Sequence, residues 1–163
     1  MGAGIVEKVG VIGYPVGHSL SPIMQRAAIE AAGLSYEYTA MEVPPEKLAQ
    51  MLAAMRGAFR GFNVTLPHKS AVMPLLDEVR EDARRIGAVN TVVQENGRLI
   101  GYNTDAAGFL DGLRGAGVLV TGKNVVLLGA GGAARAVLWA LLKEGAEAIL
   151  LVVRDVEKAR GLL

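Results

Sequence analysis

Apolar residues along this chain fall into short, separated runs whose spacing switches between that of strands and that of helices. Val9 to Gly13 is an apolar run ended by Tyr14-Pro15, which predicts a buried strand leading into a turn. Ser21 precedes Pro22, matching a helix cap followed by proline at the first helical position, and the apolar residues from Ile23 to Ala32 keep helical spacing until Gly33 stops them. Tyr36, Tyr38 and Ala40 alternate with polar partners and predict a second strand. A second helix is expected over Pro44 to Met55, and a third strand over Gly61 to Leu66, stopped by Pro67. This βαβαβ order predicts a parallel sheet with crossover helices. Ala88 to Gln94 and Arg98 to Tyr102, joined through Glu95-Asn96-Gly97, predict a hairpin at one sheet edge, because Asn-Gly accepts the positive backbone angles of a tight turn.

Thr104 is placed to cap a helix from Asp105 to Arg114, after which Gly115, Gly117 and Gly122 break the pattern. Asn124 to Leu128 is a continuous apolar strand, Gly131 opens a helix through Leu142, Ala148 to Val153 is another buried strand, and Asp155 to Leu163 begins a helix. The fold class is therefore α/β. Residues 1–104 are expected to form a domain with a mostly parallel sheet and flanking helices, and 105–163 the first part of a Rossmann-type dinucleotide-binding domain. Two strands and little more than one helix of such a fold leave a sheet edge and an apolar face uncovered.

Composition narrows the function. At 163 residues the chain holds one ordinary domain or two small ones. A formal net charge of +1, with both signs interspersed, provides no basic stripe for nucleic acid. Without cysteine there is neither a disulfide framework nor a thiolate metal site, and His18 and His68 are too few for a zinc site, so no metal is expected and the cytoplasm is the simplest compartment. Met1 to Val11 lacks the long apolar core and small-residue cleavage site of a secretory signal. The mean hydropathy of +0.34 raises a membrane reading for Val125 to Leu142, but Arg135 at mid-span and the glycines at its start favour a buried strand and tight turn.

Gly129-Ala130-Gly131-Gly132-Ala133-Ala134 follows one predicted strand and opens a helix, the setting in which a Gly-x-Gly-x-x-Ala pattern reads as a dinucleotide cradle. The first glycine suits the tight turn, and the second lets a pyrophosphate reach the helix amides. A glycine-rich turn that only packs closely is the alternative. At the end of the next strand, a carboxylate suits the ribose hydroxyl of NAD whereas an arginine suits the phosphate of NADP. Val153 is followed by Arg154 and then Asp155, so NADP is expected and NAD stays open.

Four further runs carry small hydrogen-bonding side chains and a single amine: Gly17-His18-Ser19-Leu20-Ser21-Pro22, Asn63-Val64-Thr65-Leu66-Pro67-His68-Lys69, Gly87-Ala88-Val89-Asn90-Thr91, and Gly101-Tyr102-Asn103-Thr104-Asp105 continuing to Phe109. In this order, followed by the glycine turn, they resemble shikimate dehydrogenase over nearly the whole chain. The resemblance implies reversible NADPH-dependent reduction of 3-dehydroshikimate to shikimate, in aromatic amino-acid biosynthesis, by a two-domain α/β enzyme. It further implies that Ser19 and Ser21 hold the substrate carboxylate, that Thr65, Asn90 and Asp105 contact ring hydroxyls, and that Lys69 and Asp105 are the catalytic pair. The chemistry is intelligible by itself: hydride reaching a ketone carbon leaves negative charge on oxygen, which an ammonium stabilises and protonates. Each residue also has a plainer reading, Ser21 as a helix cap, Asp105 as a first-turn helix charge and Lys69 as a surface amine.

Three departures from the family pattern stand out. The family usually carries His-Asn where this chain has Gln25-Arg26, which spares the two serines but not the roles of those two positions. Its Asn-Arg-Thr at the cofactor phosphate reads here as Val153-Arg154-Asp155, weakening the expected NADP preference. The family's chains also run on well past this length, so this chain is expected to lack the family's C-terminal part and to be silent by itself. The alternatives are a quinate/shikimate dehydrogenase using NAD, against which Ser21 speaks because quinate-preferring relatives tend to have threonine there, and a non-catalytic fragment that binds shikimate. The expected partners are small molecules, with neither nucleic acid nor membrane, and a homodimer is left open.

Overall fold

The computed structural model describes residues 6–160. The chain opens with strand β1 (Glu7–Gly13), helix α1 (Ser21–Ala31) and strand β2 (Tyr36–Glu42), followed by a 3-10 turn (Pro45–Lys47), helix α2 (Leu48–Met55) and strand β3 (Gly61–Val64). A short helix α3 (His68–Ala71), a second 3-10 turn (Met73–Leu75), strand β4 (Glu78–Val79) and helix α4 (Glu81–Ile86) lead to strands β5 (Thr91–Glu95) and β6 (Arg98–Tyr102). Helix α5 (Asp105–Gly115), strand β7 (Asn124–Leu128), helix α6 (Gly132–Lys143), strand β8 (Ala148–Val152) and helix α7 (Val156–Arg160) complete it. The residues fall into two compact units, one of 6–80 with 89–102 and one of 81–88 with 103–160.

The first unit is built on a six-stranded sheet in the order β2-β1-β3-β5-β6-β4. β1 runs parallel to both β2 and β3, as the βαβαβ pattern requires, with Val9 level with Tyr38 on one side and Gly61 on the other. Period-two alternation places Ile12, Phe62, Val64 and Val92 in the core, to which α2 adds Leu48, Leu52 and Met55. Val11, Val16 and Tyr38 form a separate cluster against which Val9 and Ile29 of α1 pack. The hairpin turns at Asn96 and Gly97, with φ of 51° and 76°.

Several elements differ from the sequence expectations. The hairpin is not the sheet edge: β4 pairs with β6 and lies outside it, and a two-residue strand is too short to show a period. The second helix splits into a 3-10 turn and α2, and β3 ends at Val64, before Thr65. Ser21 does not cap α1. It is the first helical residue, Leu20 holds the cap position, and the Ser21 N–H donates to Ser19 Oγ at 3.2 Å.

In the second unit β7 and β8 are parallel in full register, Asn124 to Ala148 through Leu128 to Val152. Ile86, Ala88 and Ala136 form a buried cluster, with Ala106 and Trp139 packed against it. Arg114 Nη2 of α5 lies 2.9 Å from each carboxylate oxygen of Glu144. Continuous apolar strands predict burial on both faces, yet Val126, Leu128, Leu150 and Val152 project from one face and are exposed. The carboxamide of Asn103, not the hydroxyl of Thr104, caps α5, accepting the N–H groups of Asp105 and Ala106 at 3.0 and 3.4 Å. α7 begins at Val156 rather than Asp155; residues 161–163 of that expected helix, and the first five residues of the stretch tested for a secretory signal, lie outside the described residues. Among the described residues no helix is long and apolar enough to cross a membrane.

Candidate functional site

Because β1 and β3 are parallel, their carboxyl ends lie together, and the antiparallel β5 begins beside them, with Thr91 level with Asn63. Chain reversals after Gly13 and Val64 therefore emerge at one end of the sheet. The two ends approach closely: a Cβ on Gly13 would collide with Thr65 Cγ2, which is why only glycine fits there. Thr65 N–H donates to the Ile12 carbonyl at 2.9 Å and Tyr14 N–H to the Leu66 carbonyl at 2.9 Å.

Thr65 leads into α3, which begins at His68. The Thr65 carbonyl accepts the His68 N–H at 2.9 Å, and His68, fully buried, places Nε2 2.7 Å from the Val43 carbonyl and so donates to it. Lys69 follows directly and is half-buried. Its carbonyl accepts the Val89 N–H at 2.7 Å, while the Asn90 carbonyl accepts the Val64 N–H at 2.8 Å. These two bonds fasten the Lys69 motif to the Asn90 motif. Ser19, whose N–H donates to the Val16 carbonyl at 3.0 Å, and Ser21 lie in the loop and first helical turn that follow β1. The first unit thus carries Ser19, Ser21, Thr65, Lys69 and Asn90 on segments that leave or enter the sheet at one end.

Beside them runs a polar chain that motif reading passed over. Tyr38 Oη lies 2.7 Å from Asn63 Oδ1; Asn63 Nδ2 lies 3.2 Å from Thr91 Oγ1 and 3.4 Å from the Asn90 carbonyl; Thr91 Oγ1 lies 3.1 Å from Asn90 Oδ1. Burial pushes the Tyr38 phenol up to about 12. Gln25 and Arg26 find structural employment: Gln25 lines a groove of about 420 Å³ with Ile29, Tyr38, Asn63 and Thr91, and Arg26 Nε donates to the Tyr38 carbonyl at 3.0 Å.

In the second unit Asp105 is the first residue of α5, held by the Asn103 carboxamide, whose Nδ2 donates to the Ala88 carbonyl at 3.0 Å. The glycine turn lies between β7 and α6. Gly129 has φ of 106° and donates its N–H to the Val152 carbonyl at 2.8 Å, drawing the turn against the end of β8. Gly129, Ala130 and Gly131 line an open cleft of about 870 Å³ with Val153, Arg154 and Asp155. Gly131 caps α6, and Gly132 and Ala133 are its first residues, so their N–H groups belong to the unpaired first turn. A Cβ on Gly131 would meet no protein atom within 4 Å, so packing among these residues does not demand glycine, and the space beside this backbone is open to a ligand group. The donor set fits a dinucleotide. Among the described residues no cluster of three or more His, Cys, Asp or Glu is arranged to hold a metal.

Residues 11–92 match the shikimate dehydrogenase substrate binding domain. The chain is 52% identical over 160 residues to the NADP(+) shikimate dehydrogenase of Carboxydothermus hydrogenoformans, covering 98% of this chain and 57% of that protein. It superimposes on the shikimate dehydrogenase of Aquifex aeolicus with a TM-score of 0.93 at 48% identity, covering 99% of this chain and 61% of that one. With the Thermus thermophilus shikimate 5-dehydrogenase, solved with NADP(H) and shikimate, the TM-score is 0.89 at 48% identity, over 96% of this chain and 59% of that one. The chain therefore spans about 57% of the length of the curated relative and about three-fifths of these two solved chains.

Proposed function

Because the chain belongs to the shikimate dehydrogenase family, we propose that the protein carries out the reversible reduction of 3-dehydroshikimate to shikimate with NADPH, using Lys69 and Asp105 as its catalytic pair. The observation that carries the reading is the direct fastening of two polar motifs, Val89 N–H to the Lys69 carbonyl and Val64 N–H to the Asn90 carbonyl, at the end of the sheet where Ser19 and Ser21 also lie.

In this reading the hydroxyls of Ser19 and Ser21 hold the substrate carboxylate, while Thr65, Asn90 and Asp105 take ring hydroxyls. The reduced nicotinamide supplies hydride when bound. Lys69 stabilises the charge that develops on the ketone oxygen and protonates it, and Asp105 orients the lysine and the hydroxyl. The turn of Gly129, Ala130 and Gly131 brings the diphosphate to the N–H groups of Gly132 and Ala133, and Arg154 pairs the ribose phosphate. Asp155, on the same cleft, favours a second reading in which NAD is also accepted.

The test is oxidation of shikimate by the full-length protein with each cofactor, followed by the absorbance of the reduced nicotinamide. NADP-linked turnover of shikimate is expected. Turnover of quinate in preference to shikimate, or binding of shikimate without turnover, would overturn the reading.

A further inference from the structure

We propose that Tyr38, Asn63 and Thr91 are positioning residues: a chain of hydrogen bonds through them ends on the side-chain oxygen of Asn90 and holds that carboxamide in place for a ligand. The proposal rests on the substrate role given to Asn90 above.

The direction follows from what each group can do. A main-chain carbonyl only accepts, so the Asn63 atom 3.4 Å from the Asn90 carbonyl is the amide nitrogen. Its oxygen is then the atom 2.7 Å from Tyr38 Oη, and the phenol must donate. Asn63 Nδ2 also donates to Thr91 Oγ1 at 3.2 Å, and this leaves the one hydroxyl hydrogen of Thr91 for Asn90 Oδ1 at 3.1 Å. Every step thus pairs one donor with one acceptor.

The setting argues that this order is built in. Tyr38 is on β2, Asn63 on β3 and Thr91 on β5, with β1 between the first two, so the phenol reaches across a whole strand to its partner. Tyr38 is only 4% exposed and Asn90 only 9%, so water does not readily take over these bonds. Thr91 precedes Val92 and Val93 on the same strand, where β-branched residues suffice for the fold. The hydroxyl is what a valine would lack. An asparagine held this way meets a ligand with its carboxamide already placed, so less ordering is needed on binding.

The test uses the full-length protein. Shikimate affinity is measured by titration calorimetry for the native protein, Thr91→Val, Thr91→Ser, Asn90→Ala and the double variant Asn90→Ala/Thr91→Val. Thr91→Val is expected to weaken binding about tenfold, the worth of one well-placed hydrogen bond, and Thr91→Ser to restore it. Once Asn90 is alanine, adding Thr91→Val should change nothing further, because the two act as one unit. Tyr38→Phe, at the far end of the chain, should cost a smaller factor of about two to three. An undiminished Thr91→Val loss in the Asn90→Ala background, or native affinity in Thr91→Val, would overturn the proposal. A second readout needs no ligand: the Asn90 side-chain amide protons should shift and exchange faster in Thr91→Val and recover in Thr91→Ser, whereas unchanged resonances would overturn it. Absence of shikimate binding by the native protein would instead sink the substrate reading, and the amide readout would then decide the positioning chain alone.

Discussion

The N–H of Val89 donates a 2.7 Å hydrogen bond to the carbonyl of Lys69, joining two segments twenty residues apart in the chain. The bond sets the first turn of α3 against the entry to β5. Lys69 therefore does not depend on its own four-residue helix for position, which a helix of that length could not supply in water.

Lys69→Ala in the full-length protein should lower kcat by about 10² to 10⁴ while leaving KM for shikimate within a few fold, since the ammonium's main interaction develops in the transition state. Steady-state kinetics with shikimate and NADP check this; near-native kcat would remove Lys69 from the mechanism. Under the proposed mechanism Asp105→Asn should harm both kcat and KM, because Asp105 would there be both a substrate contact and the group that orients Lys69.

If the cofactor binds as proposed, Asp155→Thr should widen the preference for NADP over NAD, because a carboxylate beside Arg154 on the cleft would oppose the phosphate that Arg154 would attract. The quantity to compare is the ratio of kcat/KM for the two cofactors. A ratio that does not move would show that Asp155 plays no part in the choice.

Asp77 should make the first unit acid-sensitive. Its Oδ2 accepts from Arg56 Nη1 at 2.6 Å and from the Leu99 N–H at 2.7 Å, and the Arg56 bond, followed by that N–H, holds its carboxyl below the usual carboxylate range. The folded pKa lies under the unfolded one, so the stabilisation is present above the unfolded value of 3.8 and lost as pH falls through the folded value. Asp77→Asn should lower the urea midpoint near neutrality, and the gap to the native protein should narrow progressively as pH falls below 3.8. A gap that stays constant with pH would contradict the assignment.

Tyr38 predicts the opposite limb. With its phenol raised from 10.0 to about 12 by burial, stability is unaffected by its titration below pH 10.0 and falls as pH rises towards 12, where the unfolded chain has already released the proton. Phenolate absorbance should show a late step that Tyr38→Phe removes. Loss of no late step in that variant would place the raised group elsewhere.

The features legible along the chain are those that local rules control. The βαβαβ order, the Asn96-Gly97 hairpin and the strand, glycine turn and helix from Asn124 to Lys143 follow from periodicity and from residues that accept special backbone angles, and none of these needs a distant neighbour. Short elements escaped because α3, α4 and β4 are too brief to show a period. The choice of Ser19 over Ser21 to bond the first N–H of α1, and of Asn103 over Thr104 to cap α5, was settled by how the preceding loops turn rather than by residue type. The chain from Tyr38 through Asn63 and Thr91 to Asn90 was decided by tertiary structure alone: its partners come from three strands, and only the parallel and antiparallel registers of β2, β1, β3 and β5 bring a donor opposite an acceptor at each step.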